Sequence, residues 1–420
     1  MPTTIDTGDS AWVITATALV MIMTPALGFF YGGLVRRKNL VTTIAECLMI
    51  FCIVSLAWAL WGYSLAFGPG VHGVIGNYAY FALNGVSAFN PDPAYSTVIP
   101  ALLYFAFQLK FAAITPALII GAFAGRARLK PTLIFIVLWM TLIYAPIAMW
   151  VWNPAGWLHR LGVMDFAGGL VVHTSAGVSA VAAALVIGGR APAERQETRP
   201  NNVPYVILGT ALLWFGWFGF NAGSALAANG VAVNALVVTN LAAAAGGVSW
   251  MLVDWIRLGR PSAVGMSVGA VCGLAAVTPA SGFVGPSGSL VIGVVAGLLC
   301  NFIASWRART RLDDSLDVFA CHGAGGMWGT LATGLFASTA INASGQNGLL
   351  FGNPHQLLVQ MLGIAVVASF AFVGSYALLR VINVFSPLRA GPTEEAQGLD
   401  VAEFGEAAYH PEPAPTGAVG

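Results

Sequence analysis

The stretch "MDFAGGLVVHTSAGVSA", residues 164–180, indicates the fold class because it carries two ionisable residues, one directly before an apolar window and one inside it. That window, residues 166–188, has the length of about 20 residues that a helix needs to cross the hydrocarbon core of a bilayer. An ionisable side chain in such a helix costs roughly 3 kcal/mol, so Asp165 and His173 each need a partner or a purpose. The stretch predicts a membrane helix with functional side chains.

The composition of the whole chain indicates a polytopic membrane protein. Of its 420 residues, 57% are hydrophobic and only 8% are charged, whereas soluble domains average about 25% charged residues. The five cysteines lie in apolar segments without a metal-ligand or disulfide spacing, and we interpret them as buried apolar residues. No basic stripe indicates a nucleic-acid surface, and no paired nucleophile and base, metal cluster or phosphate loop indicates an enzyme. The sequence predicts no cofactor, no metal and no nucleic-acid partner.

Eleven windows of membrane-spanning length are predicted, so the two termini are expected on opposite sides of the membrane. With the N-terminus outside, sixteen of the eighteen Lys and Arg residues fall in inner loops or at the inner end, whereas Arg160 lies outside and Lys110 lies within a helix. The positive-inside rule then predicts an all-α polytopic protein with its N-terminus outside and its C-terminus in the cytosol. The windows are residues 11–34, 41–67, 98–121, 131–152, 166–188, 203–221, 231–255, 262–280, 287–306, 316–338 and 356–385. The inner basic residues are Arg36, Arg37, Lys38, Arg126, Arg128, Lys130, Arg190, Arg195, Arg199, Arg257, Arg260, Arg307, Arg309, Arg311, Arg380 and Arg389.

This topology predicts an inverted five-plus-five repeat followed by an eleventh helix, an arrangement in which many transporters hold a substrate path between the two halves. The fifth and tenth windows are the matching members. Both begin with an aspartate followed by a histidine, namely Asp165 with His173 and Asp317 with His322. Because their helices run in opposite directions, both histidines are expected near the middle of the membrane, as a facing pair in a pathway.

The chain is expected to divide into one transmembrane domain, residues 1–385, and a cytosolic tail, residues 386–420. The tail is polar, acidic and rich in Pro and Gly, and it is too short to fold as a domain of its own. Disorder is the ordinary expectation for such a tail, and a regulatory docking segment is the functional alternative.

Asp165 and the aromatic clusters each permit two interpretations. Asp165 precedes a Gly-rich turn, where its carboxylate either caps the helix or coordinates a cation directly. Phe107 and Phe111 share one helix face, Trp152 lies at an outer boundary, and an aromatic cluster precedes Ser224. Such rings are ordinarily an interfacial belt. The alternative is an outer vestibule, where ring faces attract a small cation and a hydroxyl accepts one of its protons.

The motifs "DFAGGLVVHTSAG", "GWFGFNAGSA", "VTPASG", "DVFACHGAGG" and "GLDVAEFGEAAY" occur in this order along the chain. Together they resemble the ammonium transporter family (Amt/Mep/Rh), in particular its bacterial Amt branch, over nearly the whole length. The resemblance implies a homotrimer in the cytoplasmic (inner) membrane, with a narrow hydrophobic pore in each protomer. It implies ammonium or ammonia as the substrate, methylammonium as an analogue, lipid contacts, and a PII-type signal protein that binds at the cytosolic face.

The resemblance also implies roles for individual residues. Phe107, Phe111, Trp152 and Ser224 match the outer ammonium recruitment site, and Phe111 with Phe220 matches the stacked rings that close the pore beneath it. His173 and His322 match the paired pore histidines, and Asp165 matches a buried aspartate that transport requires. Trp217, Thr278 and Phe30 are expected to line or support the path.

A mechanism follows from these expectations. Ammonium differs from a metal ion in its directional N–H donors, which a hydroxyl and ring faces can accept. A full charge cannot cheaply cross a dry apolar pore, so the ion is expected to lose a proton before or during passage. Whether that proton follows through the two imidazoles separates electrogenic transport from gas conduction, and both remain open.

Lys110 departs from the family pattern, because an uncharged residue is expected between the recruitment phenylalanines. Three interpretations are open: a pair with an acid such as Glu46, a desolvated neutral lysine, or a position at a protomer boundary. On a helical wheel it lies about 100° from Phe111. We expect it to lie off the pore.

The sequence leaves two further functions open beside transport. The first is an ammonium sensor, although sensors usually carry an appended signalling domain. The second is a neutral-gas channel of the Rh type, against which the acidic tail motif and Trp152 favour the Amt branch.

Overall fold

The computed structural model describes residues 4–190 and 199–409, and these are almost entirely helical. The predicted inner-loop residue Arg195 and the tail residues 410–420 lie outside the described residues. The long helices are α1 (Thr7–Leu34), α2 (Arg37–Phe67), α3 (Ala101–Ala122), α4 (129–152), α5 (Gly169–Ile187), α6 (Val203–Gly223), α7 (Gly230–Leu258), α8 (Ala263–Val277), α9 (Pro286–Arg307), α10 (319–336) and α11 (Pro354–Phe385).

Shorter elements connect the long helices. Two strands, β1 (Gly70–Val71) and β2 (Ile75–Gly76), pair antiparallel after α2, with Gly70 opposite Gly76. Short helical segments are Phe81–Leu83, Trp157–Arg160, Leu349–Phe351, Pro392–Gln397 and Asp400–Phe404.

Within the described residues, nine of the long helices are apolar and long enough to cross a membrane, and α8 and α10 are the two others. Every predicted window overlaps one of these eleven helices. The helical, membrane-spanning fold class is thereby confirmed. Eleven crossings and the N-out orientation stay predictions.

The helices pack both within and between the two halves of the chain. α1 packs along α6, α7 packs against α8 and α9, and α5 packs against α10 and α11. Gly177 of α5 lies directly against the backbone of Gly323 of α10, where any side chain would collide. Small residues at this crossing bring the two backbones together and leave no bulky group between the histidine-bearing segments.

α5 and α10 begin in the same unusual way. Each opens with a π-helical turn, Gly169–Thr174 in α5 and Phe319–Ala324 in α10, and each turn contains one of the two histidines. Such turns often occur at functional sites. The shared irregularity supports the predicted relation between the two halves.

The aspartate equivalent to Asp165 is Asp314, and the sequence interpretation that paired Asp165 with Asp317 was wrong. Asp314 precedes His322 by eight residues, as Asp165 precedes His173, and it accepts hydrogen bonds from the N–H groups of Val318 (3.1 Å) and Phe319 (2.8 Å). Asp317 instead forms an ion pair with Arg307 at 2.5 Å. Only the first of these carboxylates caps α10.

A buried ion cluster joins three segments at the predicted inner face. Asp313 contacts Arg126 at 3.1 Å and Arg190 at 2.7 Å. Burial raises the pKa of Asp313, but the two guanidinium groups outweigh this and hold the pKa below its ordinary value. The end of α3, the end of α5 and the loop before α10 are therefore held together by charge.

The described part of the tail, residues 386–409, packs against the same face. Asp400 accepts hydrogen bonds from the N–H groups of Val41 (3.0 Å) and Thr42 (2.8 Å), in the first turns of α2. Leu399 donates to Asn39 at 2.9 Å, and Tyr409 donates to Asn201 at 3.1 Å. Of the two expectations for the tail, these contacts favour docking.

Candidate functional site

The four predicted recruitment residues lie together around one cavity of about 240 Å³. α3 contributes Phe107 and Phe111, whose ring centroids are 5.0 Å apart, and Trp152 at the end of α4 meets Phe111 edge-on at 5.8 Å. Ser224 follows the last turn of α6. The other lining residues are Ala94, Tyr95, Tyr104, Gln108, Pro154, His159, Phe166 and Leu226. We call this the outer cavity.

Two hydrogen bonds orient the polar groups of the outer cavity. The indole N–H of Trp152 donates to the carbonyl of Asp165 at 2.8 Å, which fixes the ring beside the start of α5. The hydroxyl of Ser224 donates to the carbonyl of Phe220 at 2.8 Å. With its hydrogen used in this way, the Ser224 oxygen presents free lone pairs, so it can accept an N–H from a ligand.

Two phenyl rings are in contact between the outer cavity, which Phe111 lines, and a further cavity, which Phe220 lines. The centroids of Phe111 and Phe220 are 4.1 Å apart with an angle of 31° between the rings, and both side chains are buried. A second, much smaller cavity of about 10 Å³ lies next to Phe220, lined by both histidines and by apolar residues. A space of that size holds at most about one water-sized molecule.

His173 and His322 meet beside this inner cavity. Their Nδ1 atoms are 3.2 Å apart, their ring centroids are 5.2 Å apart, and the ring planes differ by 16°. An N–N contact at this distance is a hydrogen bond only if one ring donates and the other accepts. Both side chains are buried, and within the described residues the Nε2 atom of His173 has no hydrogen-bond partner.

Asp165 caps α5. Its carboxylate accepts hydrogen bonds from the N–H groups of Gly168 (2.8 Å), Gly169 (2.6 Å), Leu170 (2.8 Å) and Val171 (3.1 Å). Gly168 has a φ of 120°, which is strained for any other residue and lets the turn wrap around the carboxylate. Of the two interpretations of Asp165, this geometry favours capping.

The three supporting residues take different positions. Trp217 lines the inner cavity, its ring lies 5.4 Å from that of His173, and its N–H donates to Thr278 at 2.9 Å. Thr278 supports the path by accepting this hydrogen bond from Trp217. Phe30 is buried against Tyr31 and the backbone of Gly209, and it lines neither of the two cavities described above.

Gln108 was missed in the sequence and lines the outer cavity. It is buried, its Nε2 donates to the hydroxyl of Tyr104 at 3.3 Å, and its Oε1 has no partner among the described residues. Its position three residues before Phe111 puts it on the same helix face, and that spacing could have identified it.

Lys110 is half-buried and does not line the outer cavity. Its Nζ lies 5.1 Å from the ring centroid of Phe51 on α2, a cation–π contact. This position agrees with the expectation that Lys110 lies off the path.

The comparisons with known proteins agree with one another. The model of the Ammonium Transporter Family matches residues 11–409. "Ammonium transporter Amt1" of Archaeoglobus fulgidus is 45% identical over 402 residues, which cover 96% of this chain and 99% of that protein. The crystal structure of Saccharomyces cerevisiae Mep2 aligns with a TM-score of 0.89 at 37% identity, covering 98% of this chain and 94% of that one. A structure named "Sensor Amt Protein" aligns with a TM-score of 0.86 at 32% identity, covering 94% and 98%. With nearly the whole chain matched in sequence and in fold, this multi-pass membrane protein belongs to the ammonium transporter family.

Proposed function

We propose that the protein moves ammonium or ammonia across the cytoplasmic membrane, through a path from the outer cavity past the phenyl rings to the histidine pair. The observation that carries this proposal is the meeting of His173 and His322 at 3.2 Å next to the stacked rings of Phe111 and Phe220. A polar pair buried in an otherwise apolar path has a free-energy cost, which a role in handling a proton explains.

Recruitment takes place in the outer cavity. Ammonium is bound there by the ring faces of Phe107 and Trp152 and by the oxygen of Ser224, which is oriented to accept an N–H. A metal ion of similar size has no N–H groups to donate to these acceptors, so the site favours ammonium over it. The buried amide oxygen of Gln108 is a further acceptor at this site.

Passage requires that the phenyl rings move and that the ion loses its charge. The stacked rings leave no opening in the present conformation, and the inner cavity is too small and too apolar to hydrate a cation. Deprotonation at or below the outer cavity removes this cost. The neutral molecule then moves past the histidines, whose shared hydrogen bond offers the proton a separate route.

The decisive experiment records the current of purified protein in a supported membrane during an ammonium pulse, together with methylammonium uptake into proteoliposomes. We expect sustained charge movement that disappears in His173→Ala and His322→Ala, because either change removes the shared bond. Uptake without current would contradict proton transfer through the pair and would favour ammonia conduction of the Rh type.

An ammonium sensor is the second candidate, because the aligned structure named "Sensor Amt Protein" shares this fold. A sensor binds ammonium in the outer cavity without sustained turnover. Saturable methylammonium binding with neither uptake nor current would favour this candidate over transport.

The assembly and the partners belong to the same proposal. Many large apolar side chains are exposed on the helices, which suits lipid and protomer contacts in a homotrimer. The N-terminus is proposed to lie outside, with the docked tail available to a PII-type signal protein in the cytosol. Native mass spectrometry in detergent tests the trimer, and a mass of one or two protomers would contradict it.

A further inference from the structure

A third cavity lies at the same end of the molecule as the outer cavity, under the loop that joins α2 and α3. Its volume is about 310 Å³, and its walls come from the end of α2, the loop and the start of α3. We call it the loop cavity. Its lining residues are Tyr63, Tyr80, Gly85, Val86, Ser87, Asn90, Pro91, Asp92, Pro93 and Ala101.

Asp92 gives the loop cavity a negative charge. Its Oδ2 accepts a hydrogen bond from the hydroxyl of Tyr80 at 2.9 Å, and its Oδ1 accepts one from the N–H of Ala94 at 3.0 Å. Among the residues that the structure describes, no Lys or Arg lines the cavity and Asp92 forms no ion pair. Burial and the bond to Asp92 raise the pKa of Tyr80 to about 12, so this phenol stays neutral. Each carboxylate oxygen retains a lone pair for a ligand.

Tyr63 supplies an unused polar atom in the same wall. Its side chain is 1% exposed, and its buried hydroxyl has no hydrogen-bond partner among the described residues. The ring stacks on that of Tyr80 with centroids 5.8 Å apart, which holds it in place. A buried hydroxyl without a partner has lost its bonds to water, so a ligand that donates to it removes part of that cost.

We propose that the loop cavity is a second cation site, which takes ammonium or a small primary alkylammonium ion before it enters the outer cavity. The charge of Asp92 attracts the cation, the Tyr63 hydroxyl and Asp92 accept its N–H groups, and the aromatic wall contacts the rest. The volume leaves room for a methyl group or for retained water. This proposal rests on the proposed function, because it places the loop cavity before the outer cavity on the same path.

The loop cavity is connected to the outer cavity by a short turn. The main-chain carbonyl of Asp92 accepts hydrogen bonds from the N–H groups of Tyr95 (3.0 Å) and Ser96 (2.9 Å). Tyr95 lines the outer cavity and stacks on Tyr104 there, with ring centroids 4.8 Å apart. A cation bound at Asp92 is therefore one turn of chain away from the recruitment residues.

The test measures initial rates of methylammonium uptake into proteoliposomes for Tyr63→Phe and Asp92→Asn. Tyr63→Phe removes one atom that has no partner within the described residues, and Asp92→Asn keeps the shape of the side chain, so both should fold. We expect KM to rise about fivefold in each, as for the loss of about 1 kcal/mol of binding, with Vmax within about twofold of wild type.

Two matched variants control for the loop and for the general surface potential. Tyr78→Phe removes a hydroxyl from a tyrosine of the same loop that is 67% exposed and does not line the cavity. Asp9→Asn removes one negative charge from the N-terminal end of α1, at the same end of the molecule. Both should keep the wild-type KM.

Binding is checked by saturation-transfer NMR from the protein to methylammonium. In a Trp152→Leu, Ser224→Ala background, which lacks the recruitment site, residual transfer that Asp92→Asn abolishes supports the loop cavity. Wild-type uptake combined with an unchanged KM in both cavity variants would overturn this proposal alone. Neither uptake nor saturation transfer in wild type would overturn both this proposal and the proposed function.

Discussion

Trp217 connects the histidine pair to the wall of the path. Its ring stacks on His173, and its indole N–H donates to the hydroxyl oxygen of Thr278, the residue that follows α8. Both Trp217 and Thr278 are buried, so water cannot replace the acceptor if it is removed. The orientation of the ring beside His173 depends on this one bond.

Thr278→Val tests that dependence, because the new side chain has the same shape but no oxygen. A buried indole N–H without an acceptor should lower the free energy of unfolding by about 1–3 kcal/mol and reduce methylammonium uptake. Thermal unfolding in detergent and initial uptake rates measure the two effects. Thr330→Val is the matched control, because in the described part of the chain the Thr330 hydroxyl bonds only to the carbonyl of Gly326 in its own helix. Equal losses in the two variants would contradict a special role for the Trp217 bond.

Lys110→Met tests whether the lysine beside the recruitment phenylalanines affects the path. The ammonium group lies over Phe51 and does not line the outer cavity, so we expect methylammonium uptake to change less than about twofold. Uptake at several external concentrations is the measurement. A large gain in uptake would mean that the charge of Lys110 repels the cation at the recruitment site.

At the residue scale, the sequence predicted most side chains of the outer cavity but not all of them. The aromatic residues and Ser224 stand out against their surroundings, whereas Gln108 is an ordinary polar residue until its burial is known. The environment of Phe30 could not be predicted either, because its contact with Gly209 joins helices α1 and α6, which are distant in sequence.

At the scale of the element, α5 and α10 both begin with a carboxylate cap, but the two caps accept different numbers of hydrogen bonds. Asp165 accepts four backbone N–H groups and Asp314 accepts two. In both cases the carboxylate is buried and replaces the acceptors that a helix start lacks. The α5 start should therefore depend more strongly on its cap.

Replacing each cap by asparagine tests this difference. Asn keeps one acceptor oxygen and presents an NH2 group where the second oxygen was, so Asp165→Asn loses about two charge-assisted bonds and Asp314→Asn about one. We expect a loss of about 3 kcal/mol of unfolding free energy in the first and about half as much in the second. Chemical or thermal unfolding in detergent compares the two. A larger loss for Asp314→Asn would contradict the difference in capping.

The sequence predicted these helices well and their first turns poorly. Length and apolar composition are sufficient for a membrane helix, which is why every predicted window overlaps a helix. The π-helical turns depend on side chains and backbones brought together from the other half of the molecule, and no local pattern indicates them. The spacing of eight residues from aspartate to histidine would have identified Asp314, but Asp314 lies before the predicted window 316–338 and Asp317 lies inside it.

At the scale of the whole molecule, charge holds together segments that cross the membrane separately. Asp313, Arg126 and Arg190 come from three different parts of the chain and are largely buried where they meet. Removing one partner of such a cluster leaves the others uncompensated, which typically costs 3–5 kcal/mol. Removal of Asp313 is therefore expected to destabilise the protein more than removal of one partner of an exposed ion pair.

Asp313→Asn and pH test this contribution together. The folded pKa of Asp313 lies below its ordinary value of about 4, so its stabilisation is complete above about pH 4 and is lost as the pH falls through the folded pKa. The variant should therefore unfold at a lower temperature than wild type by the same margin at pH 7 and pH 5. Thermal unfolding at pH 7, 5 and 3.5 measures the margin, and a margin that shrinks already between pH 7 and pH 5 would contradict the assignment.

The arrangement of the tail was the least predictable large feature. Its composition suits disorder, whereas the contacts of Asp400 with the start of α2 and of Tyr409 with Asn201 explain why residues up to 409 dock. That position depends on where two segments some 360 residues apart meet in the folded chain. Composition carries no information about such a meeting, whereas the membrane domain follows from composition almost directly.

The contact between the two histidine rings also has a consequence for timing. At 3.2 Å the two Nδ1 atoms can share one hydrogen, and a pair that shares it has two alternative states that differ in which ring holds it. A proton that crosses the pair in one direction switches it from one state to the other. The next proton can cross in the same direction only after each ring has its hydrogen back on the nitrogen that held it first. Under the proposed proton transfer, a resetting step would therefore separate successive protons.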